Sequence, residues 1–328
     1  MIALAPAWQH ALPDALFLTP NGPERCAGVP GGYQWFSLYS LARDALSAGV
    51  RRAAPTLDAY IDEVLVESGL CEENLLLVGF SQGTMMALHV GPLRRRPVAG
   101  IVGYSGVLAY PRADGVASKP PVLLIHGEAD SVVPIAGHQT DRELRRLGFE
   151  VESVVAPGLD HGVDAEGGRR GAEFVGVGGD GSSLADALWR WQKWPVLPVP
   201  LVAGLMVIVD RPNIDPKRLA VEEATDAAVV RLLNDAGDLA DVVRPINVYF
   251  SGTPLNLERI KDDAPTMGWR VVRVGDPGED GTALLWLERQ QAVTSTVLAK
   301  LRNDALTIEA SYQVDYEGWE TPVESERR

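Results

Sequence analysis

Residues 75–88 read LLLVGFSQGTMMAL, and this stretch decides the fold of the first half of the chain. Its first four residues are apolar and predict a buried strand, and the residues after Gly83 predict an apolar helix. Between them Gly79 and Gly83 flank Ser81 in the spacing G-x-S-x-G, typical of a sharp turn that lifts a serine hydroxyl above a sheet. Glycines suit this turn because it is strained and neighbouring backbones pass closely. We predict that Ser81 is a nucleophile and that the backbone N–H of Gln82 stabilises a developing oxyanion.

Two loops further along the chain hold partners for this serine. Residues 120–127 read PPVLLIHG, which predicts a strand, and the loop after it contains Asp130. A second strand is predicted at 150–156, and the loop after that one contains His161. Because the carboxyl ends of parallel strands line one crevice, we expect both side chains to converge on Ser81. His161 would take the serine proton, and Asp130 would orient the imidazole.

These residues also have plainer interpretations. Asp130 is compatible with a helix cap or a turn, two roles that aspartate often fills. Asp160 is an alternative acid, but a sequence neighbour of His161 cannot easily reach around to Nδ1 of that ring. The other four histidines are interpreted as structural or incidental, and His126, next to a glycine at a strand end, is expected to fix the Asp130 loop.

Four motifs occur in the order GFSQGTMMALH, GYSGVLA, LLIHGEADSVVP and GLDHGVD, after an early LPDALFLTPNGPERC. Together they resemble the phospholipase/carboxylesterase family of α/β-hydrolases over residues 1–175. The resemblance implies an α/β fold and a serine hydrolase that cleaves carboxylic or lysophospholipid esters through a Ser-His-Asp triad. It implies no cofactor, and no metal-ligand spacing occurs in the sequence. Trp35, Phe36, Leu159 and residues 106–110 are expected to line a pocket for this small-molecule substrate.

The chain departs from that family at its beginning. Family members have additional early strands, the last of which lies in the middle of the sheet and leads into a loop that gives a second oxyanion N–H. Here the first predicted strand is Ala15–Thr19. We therefore expect an α/β-hydrolase sheet that lacks its first strands, with unpaired neighbours costing on the order of 1 to 3 kcal/mol for each buried group. Hydrolysis should then be impaired.

The composition changes after Val175. Residues 176–183 are rich in glycine and serine, which predicts a flexible linker, and 184–194 predict a short helix. The uncharged, proline-rich stretch 195–209 is too short for a membrane span and is interpreted as a loop packed on a domain surface. We assign 176–216 as a whole to a linker.

From residue 217 onward, a leading helix followed by β-α-β-β-α-β predicts an α+β ferredoxin-like domain. The predicted helices are 217–236, 255–264 and 292–304, and the predicted strands are 242–251, 269–275, 283–289 and a closing one near 306–314. This half has no histidine or cysteine, and its carboxylates fall on predicted surfaces, so we expect binding rather than chemistry.

Residues 217–325 resemble the ribonuclease E inhibitor B-type regulators, the RraB family. The similarity rests on a leading helix that ends in LNDAG, on the paired βαβ plan and on the closing DYEGWE. It implies that this half binds and restrains a protein partner of the ribonuclease E type.

Charge limits the choice of partners. Residues 1–180 carry 14 Lys+Arg and 21 Asp+Glu, and residues 181–328 carry 16 and 23, so each half has a net charge of −7 and the chain −14. Direct nucleic-acid binding is disfavoured because phosphate contacts need lysine and arginine. Two cysteines and no signal-peptide pattern favour a cytoplasmic location, with no disulfide framework.

Three classes of function remain open on the sequence. The first is a serine esterase joined to a regulator-like domain. The second is a non-catalytic interaction protein whose C-terminal domain inhibits a ribonuclease E-type partner. The third is an artefactual fusion of two genes, for which Met206 is a plausible start of the second.

Overall fold

The 328-residue chain is described by a computed structural model over residues 15–26, 31–109, 115–134, 137–175, 204–209, 214–278 and 281–324, together with Leu4, Trp8 and Leu12. The chain divides into two units. One comprises Met1–Ile61 with Glu72–Arg211, and the other comprises Asp62–Cys71 with Pro212–Arg328. The linker predicted at 176–183 and the helix predicted at 184–194 lie outside the described residues.

The first unit is built on a six-stranded sheet. Its strands are β1 (Leu16–Leu18), β4 (Leu75–Phe80), β5 (Gly100–Tyr104), β6 (Val122–Gly127), β7 (Val151–Ala156) and β8 (Leu205–Val209), and a separate hairpin is formed by β2 (Glu24–Arg25) and β3 (Tyr33–Gln34). The order across the sheet is β1-β8-β4-β5-β6-β7. Strands β4 to β7 pair in parallel, so their carboxyl ends share one edge. All residues of β4, β5 and β6 are buried, as expected for a parallel sheet covered on both faces.

The described helices of this unit are α1 (Arg43–Ser68), α2 (Gln82–Val90), α3 (Gly137–Arg146) and α4 (Ala165–Phe174), and the part of α1 from Asp62 onward is assigned to the second unit. Helix α2 follows β4 directly and is buried along nearly its whole length, which agrees with its apolar sequence. Asp164 caps the N-terminus of α4, since its side chain accepts a hydrogen bond from Gly167 N. These elements agree with the α/β-hydrolase fold predicted for residues 1–175.

Strand β8 corrects the prediction that residues 195–209 form a surface loop within a linker. It lies between β1 and β4 and pairs antiparallel with both, with Val207 opposite Leu18 on one side and Leu77 on the other. The neighbouring strands are therefore paired, contrary to the expected gap in the sheet. Five consecutive apolar residues without charge are typical of an interior strand, and the prolines before them obscured this pattern.

The residues of β8 are part of the core of the first unit. Each is between 0% and 1% exposed. Met206 and Ile208 pack in one cluster with Val78 and Trp8. Met206, considered above as the start of a separate chain, lies opposite Val78 of β4. Residues 204–209 thus belong structurally to the first unit.

The second unit is an antiparallel four-stranded sheet with helices on one face. Its helices are α5 (Pro216–Asp235), α6 (Pro254–Asp263) and α7 (Ser295–Tyr312), and its strands are β9 (Arg244–Gly252), β10 (Arg270–Val274), β11 (Ala283–Gln291) and β12 (Asp315–Glu320). The order is β10-β11-β9-β12, which confirms the ferredoxin-like prediction. Ile246, Val248 and Phe250 of β9 pack with Leu257 and Ile260 of α6 in its core.

The closing strand predicted near 306–314 is wrong, because α7 continues to Tyr312. Its buried residues recur at intervals of three and four, the period of a helix face. They are Leu298, Leu301, Ala305, Ile308 and Tyr312. The helix ends at Gln313, whose left-handed backbone (φ 54°) turns the chain into β12.

Replacing Ile208 by alanine tests the position of β8. Because Ile208 is 1% exposed, we expect the change to destabilise the first unit by about 2 to 5 kcal/mol in urea unfolding of the full chain. Leu41→Ala is the control, since Leu41 is 46% exposed and the same truncation should change stability by only about 0.5 kcal/mol. Equal, small effects of both substitutions would place residue 208 outside the sheet.

Candidate active site

Ser81 occupies the turn between β4 and α2. Its backbone has φ 54° and ψ −114°, a conformation that costs energy for any residue other than glycine. Ser81 N donates to Tyr104 O at 2.9 Å, which ties the turn to the end of β5. A Cβ at Gly79 would lie 2.2 Å from Thr84 N, so the turn leaves no room for a side chain there. The predicted G-x-S-x-G turn is therefore present and strained at its serine.

Asp130 and His161 meet at the same edge of the sheet. Nδ1 of His161 lies 2.9 Å from Oδ2 and 3.1 Å from Oδ1 of Asp130. Because a carboxylate oxygen accepts, Nδ1 is the donor in this contact, and in the neutral imidazole Nε2 then keeps a lone pair. The Asp130 side chain is completely buried, and that of His161 is 6% exposed. The pair predicted from the sequence is thus brought together.

The loop after β6 holds Asp130 in place. Oδ1 of Asp130 accepts from Val132 N at 3.0 Å and from Val133 N at 2.8 Å. His126 Nε2 lies 2.8 Å from Val133 O, to which it donates, and 3.4 Å from Oδ2 of Asp130. His126 therefore links the end of β6 to the Asp130 loop, the role expected from its position.

Asp160 holds the loop of His161 and does not orient its ring. One oxygen, Oδ1, lies 2.8 Å from each of its three donors, which are Ser131 N, Ser131 Oγ and His161 N. These hydrogen bonds, the backbone one from Ser131 first, lower the pKa of the Asp160 carboxyl below its usual value. The alternative acid considered above is thus a loop-fixing residue.

The His161 ring lies against the residue that precedes the serine turn. It packs on Phe80, the residue before Ser81, with 4.8 Å between centroids. Among the described residues Nε2 is buried and has no hydrogen-bond partner. This nitrogen is therefore available to accept a proton, and catalytic hydrogen bonds of this kind often form only when substrate is bound.

Gln82 contributes its backbone and its side chain in different ways. As the first residue of α2, it has an N–H with no acceptor within the helix, at the positive end of the helix dipole. Its side chain anchors the segment after β3, since Oε1 accepts from Trp35 N at 3.1 Å and Nε2 donates to Phe36 O at 2.6 Å. This anchoring role was not predicted.

The residues expected to line a substrate pocket differ in exposure, and Phe36, like Trp35, is 1% exposed. Trp35 is 1% exposed, so its indole packs within the unit, and a role in substrate binding stays a prediction. Leu159 is half-buried, and its carbonyl accepts from Ala129 N at 2.9 Å. Of the residues 106–110, Tyr110 lies outside the described part of the chain.

Gly204, directly before β8, lies beside the site and could not be recognised from the local sequence. Its carbonyl accepts from Phe80 N at 2.8 Å, so it lies beside the turn. A Cβ at Gly83 would lie 1.8 Å from this oxygen, which explains why position 83 needs glycine. Together with its pairing to β4, the apolar run 205–209 could have indicated the position of Gly204. A strand that pairs antiparallel with β4 begins at the end where β4 finishes, so the residue before it lies beside the serine turn.

A strained serine after one parallel strand, with a paired aspartate and histidine after two others, defines an α/β-hydrolase. The sequence model of this class described as phospholipase/carboxylesterase matches residues 1–175 of the 328. The chain belongs to the phospholipase/carboxylesterase family.

Individual relatives agree with this assignment. A probable carboxylesterase of Oryza sativa subsp. japonica is 32% identical over 157 residues, which cover 45% of this chain and 59% of the rice protein. Esterase YpfH of Escherichia coli is 30% identical over 154 residues, covering 46% and 65%. The chain thus spans less than two thirds of the length of these two relatives. The crystal structure of esterase PE8 has 38% identity and a TM-score of 0.51, covering 53% of this chain and 83% of that one.

The second unit has its own similarity. Residues 223–321 match the sequence model of the regulator of ribonuclease activity B, in agreement with the resemblance noted for 217–325. In the described part of the chain, every helix is too short or too polar to cross a bilayer.

Replacing Ser131 tests the role assigned to Asp160. The carboxylate form is favoured by hydrogen bonds, so its contribution to stability is present above the ordinary pKa of aspartate and is lost as pH falls through the lowered value. Ser131→Ala removes one donor and should raise the pKa of Asp160 towards its usual value, as measured by NMR titration of the carboxyl carbon. Ser153→Ala in β7 is the control, and a pKa of Asp160 that is equal in both variants would contradict the assignment.

Proposed function

We propose that the first unit is a serine hydrolase that cleaves carboxylic or lysophospholipid esters through Ser81, His161 and Asp130. The observation that carries the proposal is the Asp130–His161 pair beside the strained serine turn, with a 2.9 Å contact on Nδ1 and a free Nε2. This arrangement has the nucleophile, the base and the orienting acid of covalent acyl transfer.

The first chemical step forms an acyl-enzyme. Nε2 of His161 takes the proton from the Ser81 hydroxyl as Oγ attacks the carbonyl carbon of the ester. The imidazolium that results is stabilised by the buried carboxylate of Asp130. Collapse of the tetrahedral intermediate breaks the bond to the leaving oxygen, which receives the proton from Nε2 as it departs as an alcohol.

The second step returns the free enzyme. A water molecule gives a proton to Nε2, and its oxygen attacks the acyl carbon. The bond to Ser81 Oγ then breaks, the serine recovers its proton from His161, and the carboxylic acid leaves. Both steps pass through an oxyanion, and the N–H of Gln82 supports its charge.

Gly204 limits how well that charge is stabilised. Its carbonyl oxygen lies beside Gly83 and Phe80, next to the turn that presents the N–H of Gln82. A carbonyl is an acceptor with a negative end and cannot donate to an oxyanion. We propose that Gln82 is the main donor and that hydrolysis is slower than in enzymes with two donors.

The arrangement of the site supports acyl transfer but does not distinguish an ester from a thioester leaving group. One relative, of Gibberella zeae, is named acyl-protein thioesterase 1 and is 28% identical over 176 residues, which cover 48% of this chain and 74% of that protein. Esters and thioesters share the acyl-enzyme and differ only in the departing atom. We propose small esters as substrates and include thioesters in the assay.

A second function belongs to the second unit. Its match to the regulator of ribonuclease activity B over 223–321 supports a protein-binding role, with a ribonuclease E-type protein as the proposed partner. This function is independent of Ser81, and it is the main one if the first unit turns over no ester.

A fluorophosphonate probe tests the nucleophile. We expect the full chain to be labelled at Ser81, located by mass spectrometry of the labelled peptide, and Ser81→Ala to remain unlabelled. Asp130→Asn should lower kcat on nitrophenyl acetate by about 10⁴-fold, since the wrong imidazole tautomer is then favoured. Asp160→Asn, which retains the acceptor oxygen of the loop, is the matched control and should keep most of the activity.

Two results would contradict the proposed enzyme. One is labelling of a residue other than Ser81. The other is equal loss of activity in Asp130→Asn and Asp160→Asn, because the structure assigns the ring contact to Asp130 alone.

With Gln82 as the proposed oxyanion donor of the described residues, we expect a slow enzyme. Loss of one donor costs about 10² to 10³ in kcat, so turnover of nitrophenyl acetate should be lower by that factor than turnover by a serine esterase that has two oxyanion N–H donors, measured under the same conditions. Equal turnover by the two proteins would show that a second donor is present.

A further inference from the structure

The sheet of the second unit has one face that is not used by its core. In β9, Ile246, Val248 and Phe250 are fully buried against the helices. Successive side chains of a strand point to opposite faces, so the half-buried residues between them lie on the other side of the sheet. We call this side the carboxylate–aromatic face, and it is defined by Asn247, Tyr249, Ser251, Trp286, Glu317 and Glu320. Arg273 of the edge strand β10 lies opposite Trp286 on the same side, away from the two carboxylates on β12.

Two aromatic rings lie at the centre of this face. Tyr249 and Trp286 are opposite each other on the two central strands, with ring centroids 5.4 Å apart and planes tilted by 43°. Both side chains are half-buried rather than enclosed. Trp286 Nε1 has no hydrogen-bond partner among the described residues. An aromatic pair with this exposure on the surface of a sheet attracts cations to its ring faces.

Two carboxylates stand beside the rings on the edge strand β12. Glu320 Oε1 accepts from the Tyr249 hydroxyl and from Asn247 Nδ2, and Glu317 Oε1 accepts from Ser251 Oγ. Burial and then the contact with Glu320 raise the pKa of the Tyr249 hydroxyl, so that it remains a donor at neutral pH. The carboxylates are thus oriented in advance of binding.

Neither carboxylate is neutralised by a neighbouring cation. Within the described residues Glu317 and Glu320 make no ion pair, whereas Glu288 on the same sheet is paired with Arg270 at 2.7 Å. Two oriented negative charges next to aromatic rings match a guanidinium or an ammonium, which can contact a ring face and a carboxylate together.

An aromatic pair on the central strands of a four-stranded sheet is also the arrangement that stacks nucleotide bases. The charge of this face distinguishes between a nucleic acid and a cationic protein segment as its ligand. Phosphates would approach Glu317 and Glu320, and residues 181–328 carry a net charge of −7. Because phosphate contacts dominate nucleic-acid affinity, the face disfavours RNA and favours a cationic protein segment.

We propose that the carboxylate–aromatic face binds an extended, arginine- or lysine-bearing segment of a protein partner, with a cationic side chain over Tyr249 and Trp286 and against Glu317 and Glu320. This surface lies wholly in the second unit and does not rest on the proposed esterase. The proposal specifies which surface of the second unit binds a protein partner and which side chains of the partner it contacts.

The test uses the full chain and a fluorescent decapeptide of alternating arginine and serine, with binding followed by anisotropy at low and physiological salt. The double variant Glu317→Gln/Glu320→Gln keeps the size and hydrogen-bonding capacity of the side chains and should weaken binding at least tenfold. Trp286→Leu should weaken binding several-fold, because it removes the ring while keeping an apolar side chain.

The matched control is Glu223→Gln/Glu258→Gln. It removes the same net charge from exposed positions on α5 and α6, the helix side of the unit. Binding in this control should stay within about twofold of the parent chain, because screening weakens the effect of exposed, distant charges. Circular dichroism of each variant checks that the fold is retained, and Ser81→Ala should bind the peptide as the parent chain does.

Three outcomes would overturn the proposal. Equal weakening by the two double variants would mean that only net charge attracts the peptide. No binding of the arginine peptide by the folded parent chain would exclude a cationic ligand. Tighter binding of a ten-nucleotide oligouridylate, lost in Trp286→Leu, would assign the face to nucleic acid instead.

Discussion

The first unit depends on the pairing of β8 with β1 and β4. Strands β1 and β4 run in the same direction, and each exposes a row of backbone donors and acceptors to the space between them. Buried groups of this kind cost on the order of 1 to 3 kcal/mol each when they lack partners. Residues Leu205–Val209 satisfy both rows and bury five apolar side chains. A short segment distant in sequence thereby joins the two parts of the sheet.

The direction of β8 has chemical consequences. Because it is antiparallel to β4, it enters the sheet at the edge that holds the turn of Ser81 and the Asp130–His161 pair. Its first neighbour, Gly204, presents a carbonyl to Phe80 N beside the serine turn. The same strand that completes the core therefore also brings the backbone of Gly204 beside the serine turn.

Local patterns predicted much of the structure. The strand, turn and helix around Ser81 are encoded in fourteen adjacent residues, and the Asp130 and His161 loops follow from the rule that parallel strands share an edge. The position of β8 could not be predicted in this way, because its partners are more than 100 residues away in sequence and prolines precede it. The end of α7 was missed for another reason: the run from 306 to 314 was interpreted as a strand although its buried side chains have helical spacing.

Amide hydrogen exchange of residues 205–209 in the full chain tests this arrangement most directly. If β8 lies between β1 and β4, its amides should exchange only through global opening of the first unit, with protection equal to that of β4. Ile208→Ala should lower the protection of β4 and β8 by the same amount. Exchange of 205–209 at the rate of an unstructured peptide, with β4 still protected, would contradict it.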